Sequence, residues 1–557
     1  MAHWRINVRA TRYREIAAVL MRHGLAWLIA VLELDRFIGL PWRLVGRRRE
    51  LHAPTTPEQL RQALEELGPT FIKLGQVLST RPDLLPPEYQ RELAKLQDRA
   101  PAVAVSEVRA ALVAELGQPV EQAFATFDDE PLAAASIGQV HTATLPDGTA
   151  VVVKVRRPGA VEQIEADLGI IQQLAAAASR RWAFADRYDL EGLAHEFGQT
   201  LRAELDYLRE AGNAERFAAN FRDDPSVHVP RVYRQLSTAR VLTLERISGI
   251  KIDDLAALDA AGIDRQALAA HAANIVLKMI VDDGFFHADP HPGNFFVESN
   301  GRIGLIDFGM VGVIDTLTRD RLARLALAVS SQDAGALVDA LLDLGVARLP
   351  PERDLLRRDL ADLLARYSER SLGDIEIGPL ITEVLALIRR YHLRLPPNLA
   401  LLVKTVLMEE GLGARLAPTF ELTTVLAPYT RRLLLRHYSP LLWTRRLTQA
   451  GLEAADLGAD LPRHLRRLLG NLERGDLQLT VRPTEMEPIL RRVERLVNRL
   501  VLGILAAAFV NGLAVLLSTY HLAGWERLSS IFFALGFTIA VLLGLYLAWS
   551  ILRSGRR

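Results

Sequence analysis

The order of apolar and polar positions divides the chain into segments of different period. Residues 124 to 156 read as three strands, the last being Val151-Val152-Val153-Lys154-Val155 after the turn Pro146-Asp147-Gly148-Thr149. Pro-Asp-Gly between apolar runs is a strong hairpin signal, because proline and glycine adopt the dihedral angles a tight turn needs. Upstream, Pro69 to Ser79 carries Phe71, Leu74 and Leu78 at helical spacing, with Lys73 and Gln76 on one polar face. Pro82, Pro86 and Pro87 end that helix. Residues 160 to 220 read as helix, Val241 to Ile247 as a strand leading to a hinge, and Leu268 to Asp283 as a long helix. Phe295-Phe296-Val297 and Arg302 to Ile306 flank the turn Ser299-Asn300-Gly301 as a second hairpin. Residues 320 to 470 read almost entirely as helix, with breaks at Pro396-Pro397 and Gly411-Leu412-Gly413.

Two later runs, Leu500 to Tyr520 and Ser529 to Leu552, carry no charge, and each meets the roughly 20 residues a bilayer span requires. Arg491, Arg492, Arg495 and Arg499 flank the first, and Arg553, Arg556 and Arg557 the second. The excess of arginine at both outer ends places them, and the large domain, in the cytoplasm, so an integral membrane protein is expected. Gly503, Gly512, Gly536 and Gly544 allow the two helices to pack closely. At the other end, Gly24 to Leu32 is too short to span. Leu20, Trp27, Ile29, Leu32 and Leu34 with nearby arginines suggest a helix lying either on a membrane or on the protein's own surface.

Composition narrows the classes. A chain of 557 residues holds several domains, and half its residues are hydrophobic, which fits a membrane part. A net charge of +1 argues against bulk nucleic-acid binding. With no cysteine there is no disulfide, thiol nucleophile or cysteine zinc site, in keeping with a reducing compartment. The polar, arginine-rich start, Met1 to Glu15, does not read as a secretory signal.

The candidate chemistry centres on His287-Ala288-Asp289-Pro290-His291-Pro292-Gly293-Asn294, followed by Asp307-Phe308-Gly309. An Asp five residues before an Asn, then a short hairpin and Asp-Phe-Gly, is the spacing of a phosphoryl-transfer site. In that pattern Asp289 is the catalytic base, and Asn294 and Asp307 supply hard oxygen donors to Mg²⁺ shared with ATP phosphates. Lys154 ends a valine strand and would grip phosphates while pairing with a helix glutamate; Glu204 and Glu210 are the candidates, Glu210 the preferred one. Leu132, Ala133, Ala134, Ala135, Ser136, Ile137, Gly138, Gln139 and Val140 stand where a kinase has its glycine-rich loop, so they and Glu245, near the hinge, are expected to bind nucleotide. With alanines in place of glycines, the loop should be stiffer. No Ala-Pro-Glu and no long activation segment follow Gly309. A competing possibility is a metal cluster of His287, Asp289 and His291 serving a phosphoesterase.

Taken together, these motifs resemble the UbiB-type atypical kinase family of ubiquinone biosynthesis, over roughly residues 60 to 420 plus a C-terminal membrane hairpin of the kind bacterial members carry. Lys73-Leu74-Gly75-Gln76 resembles its Lys-x-Gly-Gln, and Glu204-Leu205-Asp206 its Glu-x-Asp. The resemblance implies an α+β, bilobal protein-kinase-like fold. Its parts would be a basic amphipathic segment (1–56), a helical extension (57–123), an N-lobe (124–246), a helix-rich C-lobe (247–435), a helical linker (436–498) and two transmembrane helices (499–552). It implies ATP and Mg²⁺ as cofactors, and kinase or ATPase activity supporting ubiquinone assembly at the bacterial inner membrane. Prenylated quinone precursors and the enzymes that process them would be partners, beside the bilayer. Lys73, Gln76, Glu204 and Asp206 would be regulatory, the extension closing over the site where a protein substrate docks. A non-catalytic nucleotide-binding regulator of the same pathway is the alternative.

Overall fold

The computed structural model describes residues 2–32, 34, 56–81, 84–96, 101–181, 189–344, 353–368, 377–391, 393 and 395–437. The expected membrane hairpin and nearly all of the linker before it lie outside these residues. Among the described residues, no helix is long and apolar enough to cross a membrane.

An N-terminal helical layer comprises α1 (Ala2–Arg22), α2 (Ala26–Val31), α3 (Pro57–Leu67), α4 (Pro69–Ser79) and α5 (Pro87–Leu93). Tyr13, Ile16, Leu20, Leu25 and Ile29 are buried with Leu64, Phe71 and Leu93. The basic N-terminal helix therefore packs on the protein's own surface, one of the two placements its pattern allowed. Arg12 fastens it, donating from Nε to Asp167 at 2.9 Å and from Nη2 to the Leu67 carbonyl at 2.6 Å. Short helices α6 (Val105–Leu116) and α7 (Val120–Ala123) lead into the first sheet.

That sheet has one more strand segment than the pattern suggested. Its members are β1 (Thr126–Phe127), β2 (Ala133–Ala134), β3 (Gly138–Thr144), β4 (Ala150–Arg156) and, from further along, β6 (Val241–Glu245). They run antiparallel in the order β1-β3-β4-β6, with β2 paired to β3. On β4 the period of two sends Val151, Val153 and Val155 into a core with Val108, Leu112 and Phe124. Val152 and Lys154 take the opposite face. Helices α8 (Ala160–Arg181), α9 (Leu190–Glu204) and α10 (Tyr207–Asn220) follow β4.

The C-terminal half uses β5 (Val227–His228), β7 (Ile250–Lys251), β9 (Phe295–Val297) and β10 (Ile303–Leu305) in the order β5-β10-β9-β7. The expected hairpin β9–β10 is antiparallel. A separate pair joins β8 (Phe285–His287) to β11 (Val311–Val313). Helices α11 (Leu255–Ala260) and α12 (Arg265–Leu277) precede β8. The long helix expected to reach Asp283 changes winding at Lys278, where Lys278–Asp283 forms a π-helix. The wider turn places Met279, Ile280 and Val281 all inward, which an α-helical stripe does less readily. Then come α13 (Thr316–Ser330), α14 (Ala334–Asp343), α15 (Arg353–Ser368), α16 (Ile377–Arg390), α17 (Pro397–Leu416) and α18 (Leu422–His437). Proline opens α17 at a position where its missing N–H costs nothing. The expected break at Gly411-Leu412-Gly413 does not occur. Helix α17 runs through it, and Gly413 is small because a Cβ there would collide with the Phe420 ring.

Candidate active site

Helix α10 places the first buried charge. Asp206 caps it, accepting from the Leu208 N–H at 3.1 Å. Tyr207, Glu210, Ala211, Ala214 and Phe217 then form its buried stripe at helical spacing. A carboxylate inside such a stripe needs a partner. Lys154, on the facing side of β4, supplies it: Nζ donates to Glu210 Oε2 at 2.8 Å and to Oε1 at 3.1 Å. Its ammonium also lies 5.2 Å from the Tyr207 ring centroid. Burial opposes the charge on Lys154, but Glu210 and Asp307 outweigh it and hold the amine well above the ordinary lysine pKa. Burial likewise pushes the Tyr207 hydroxyl up to about 12.

The same helix reaches the Asp307-Phe308-Gly309 segment. Asn213 donates to the Phe308 carbonyl at 2.9 Å. Phe308 is fully buried against Phe217 and His287. Next to it Asp307 has a φ of +60°, a left-handed conformation that only a few non-glycine residue types tolerate. Its carboxylate accepts the Gly309 N–H at 3.2 Å. The Lys154 ammonium holds its pKa below the usual range against burial, and Lys73 adds to the effect.

The loop after β8 is organised by its histidine. His287 is buried; its Nε2 donates to the Ile306 carbonyl at 3.2 Å and its Nδ1 accepts the Asp289 N–H at 3.2 Å. Both ring nitrogens are thereby engaged. His291 Nδ1 is also taken, accepting the Gly293 N–H at 3.0 Å. Among the described residues no group of three His, Asp or Glu side chains is arranged to hold a metal. The histidine metal-cluster alternative therefore has no geometric support. Asn294 donates from Nδ2 to the Asp289 carbonyl at 3.0 Å, which leaves Oδ1 as its acceptor end.

Asp289 is half-buried and meets a residue that pattern reading passed over. Lys404 Nζ, from α17, donates to Asp289 Oδ1 at 2.8 Å. Burial works to raise the Asp289 pKa, but Lys404 prevails and lowers it. The available signal was modest: one lysine inside the otherwise uncharged run Leu399 to Met408. Asn213 was equally hidden, since a single amide on a helix gives no pattern.

The extension touches the same region. Lys73 on α4 pairs with Glu204 at 3.2 Å, both side chains largely buried. Gln76 instead donates to the Leu96 carbonyl at 3.0 Å and so braces α4 within its own layer. Asp206 is occupied in capping. The alanine segment is a tight hairpin: Ala133 and Ala134 pair with Val140 and Gln139, and the Ala135 N–H bonds the Gly138 carbonyl at 2.8 Å. Leu132 is exposed at its mouth, Ser136 and Ile137 are buried at its turn. A Cβ at Gly138 would strike the Tyr207 hydroxyl and the Val155 carbonyl, which explains the one glycine. Gln139 is buried and accepts the Val103 N–H at 2.8 Å, its amide nitrogen meeting His141 Nε2. Glu245 ends β6, accepts the Arg231 N–H at 3.1 Å and lies 3.4 Å from His228 Nε2.

An ionised Asp307 and the amide oxygen of Asn294 are hard donors of the kind a small divalent cation takes, with phosphate oxygens completing its shell. The donor set fits such an ion.

A model of the ABC1 atypical kinase-like domain matches residues 95–341, a UbiB helical domain 360–421, and an ABC1/UbiB kinase-like C-terminal domain 484–553. A probable protein kinase UbiB from Xanthomonas campestris is 36% identical, covering 93% of this chain and 94% of that one. An uncharacterized protein in the hydrogenase 1 5′ region of Clostridium pasteurianum is 33% identical, covering 98% and 99%. The solved Rv3197–erythromycin complex of Mycobacterium tuberculosis is 26% identical, covers 60% of this chain and 92% of its own, and gives a TM-score of 0.39. On its motifs, its kinase-like fold and a likeness that spans nearly its whole length, the chain belongs to the ABC1/UbiB atypical kinase-like family.

Proposed function

We propose that the protein is a Mg²⁺-ATP-dependent atypical kinase or ATPase that supports ubiquinone biosynthesis from the membrane. One observation carries the reading: the ionised Asp307 beside the Lys154–Glu210 pair, with Asn213 tying the glutamate's helix to the carbonyl of Phe308. Lys154 would bind phosphates, the hairpin from Leu132 to Val140 would cover them, and Glu245 would lie by the nucleotide's base end. Asp307 and Asn294 would hold Mg²⁺, which would neutralise phosphate charge when bound. Asp289 would accept the proton of the attacking hydroxyl. Helix α4, held by Lys73 and Glu204, would restrict acceptors to small molecules or water, and prenylated quinone precursors would be the acceptors or cargo. The apolar runs near the C-terminus would anchor the kinase-like domain on the cytoplasmic face.

The test is ATP turnover by the purified full chain with and without prenyl-phenol lipids, followed by a search for phosphorylated product. Mg²⁺-dependent ADP release that rises with lipid supports the proposal. A chain that releases no ADP under any of these conditions rejects it.

A further inference from the structure

We propose that Lys404 is a catalytic residue, its ammonium delivered by α17 to hold Asp289 by one oxygen and bind the phosphoryl group being transferred. Three observations carry this. First, Asp289-Pro290-His291-Pro292-Gly293-Asn294 contains no lysine or arginine, so the loop brings no cation of its own to the acceptor end of the site. A phosphoryl group in transfer spreads negative charge over three oxygens and needs positive charge beside it. Second, the other two lysines of the site are already held elsewhere, Lys154 by Glu210 and Lys73 by Glu204. Third, Lys404 stands alone among apolar residues with its side chain 19% exposed, 2.8 Å from Asp289 Oδ1. Taking a lysine out of water is costly unless its charge is matched, and one carboxylate oxygen matches only part of it.

An ammonium has three N–H bonds. One goes to Asp289 Oδ1, leaving two for nonbridging phosphoryl oxygens. Asp289 Oδ2 has no hydrogen-bond partner among the described residues, so it remains for the acceptor. The acceptor O–H, from water or an alcohol, then attacks the γ-phosphorus. The new P–O bond forms as the bond to the β–γ bridging oxygen breaks, and that electron pair leaves on ADP. The acceptor proton passes to Oδ2 of Asp289. Helix α17 lies in the segment matching the UbiB helical domain, so this domain would be part of the catalytic centre rather than a support for it.

The proposal rests on the phosphoryl-transfer reading above, and the experiment separates the two. Mg²⁺-ATP and Mg²⁺-ADP affinities are measured calorimetrically on the full chain and on Lys404→Met, which keeps the stem and removes the charge. Lys404→Arg tests rescue, and Lys404→Gln replaces the methionine variant if that one does not fold. Loss of a charge-assisted contact to the γ-phosphoryl should weaken ATP about tenfold or more while ADP stays within about twofold, and arginine should restore most of the difference. If both nucleotides weaken equally, or neither does, Lys404 is only a tether between α17 and the loop and the proposal is overturned. If the parent binds neither nucleotide, the phosphoryl-transfer reading fails and takes the proposal with it.

Discussion

Asn213 bonds the Phe308 carbonyl at 2.9 Å, three residues along the same helix from the Glu210 that holds Lys154. Helix α10 is thus fixed at one face to β4 and to the Asp307-Phe308-Gly309 segment. Asn213→Ala should cost only about 1 kcal/mol of stability, the usual worth of one such bond. It should nevertheless raise the Mg²⁺ concentration needed for half-maximal ATP binding severalfold, because Phe308 and Asp307 lose their tether. A Mg²⁺ titration at fixed ATP reads this, and an unchanged midpoint would remove the coupling role.

Lys154→Met should have two separable effects. It leaves Glu210 buried without its cation, and breaking one partner of a buried pair costs about 3–5 kcal/mol. Adding Glu210→Gln should recover most of that stability, since the orphaned carboxylate is gone. Mg²⁺-ATP binding should stay lost in both variants. Denaturant unfolding and calorimetry on the same samples check the split; recovered binding in the double variant would mean Lys154 does not grip phosphate.

Glu409 on α17 offers a pH test. It is 2% exposed, and neither of its oxygens has a hydrogen-bond partner among the described residues. Burial pushes its carboxyl from the ordinary 4.5 up to about 8. The folded state therefore keeps a proton that the unfolded chain releases above the ordinary value. Stability from this site is full below about pH 4.5 and falls as pH rises towards about 8. Glu409→Gln, which mimics the protonated form, should match the parent near the lower value and exceed it by a few kcal/mol near the upper one, at 1.36 kcal/mol per pKa unit. A stability difference that does not grow between those two pH values would show that Glu409 is ionised in the fold.

Much of this site was legible because its chemistry is carried by closely spaced polar residues in apolar surroundings. The Asp289–Asn294 spacing, Asp307-Phe308-Gly309 and Lys154 on a valine strand each stand out against what flanks them. The preference for Glu210 over Glu204 as the partner of Lys154 is what the structure shows, and Glu204 goes to Lys73. Lys404 was not legible: it lies 115 residues from Asp289, and only packing α17 against the loop after β8 brings them together. The alanine segment shows the opposite limit. Its composition marked a loop, but register with Val140 and Gln139 makes it a paired hairpin, and strand pairing depends on a partner that local sequence does not name. Winding is similarly hidden: the π-turn at Lys278 and the unbroken helix through Gly411 and Gly413 both follow from tertiary packing.

The most direct measurement is Mg²⁺-ATP binding by the full chain and by Asp307→Asn, titrated with and without EDTA. The phosphoryl-transfer reading requires that the parent bind ATP only with Mg²⁺ and that Asp307→Asn weaken this by about tenfold or more, since an amide cannot replace the carboxylate between metal and phosphates. An Asp307→Asn protein that binds Mg²⁺-ATP as tightly as the parent, or a parent that binds ATP equally well in EDTA, would contradict it.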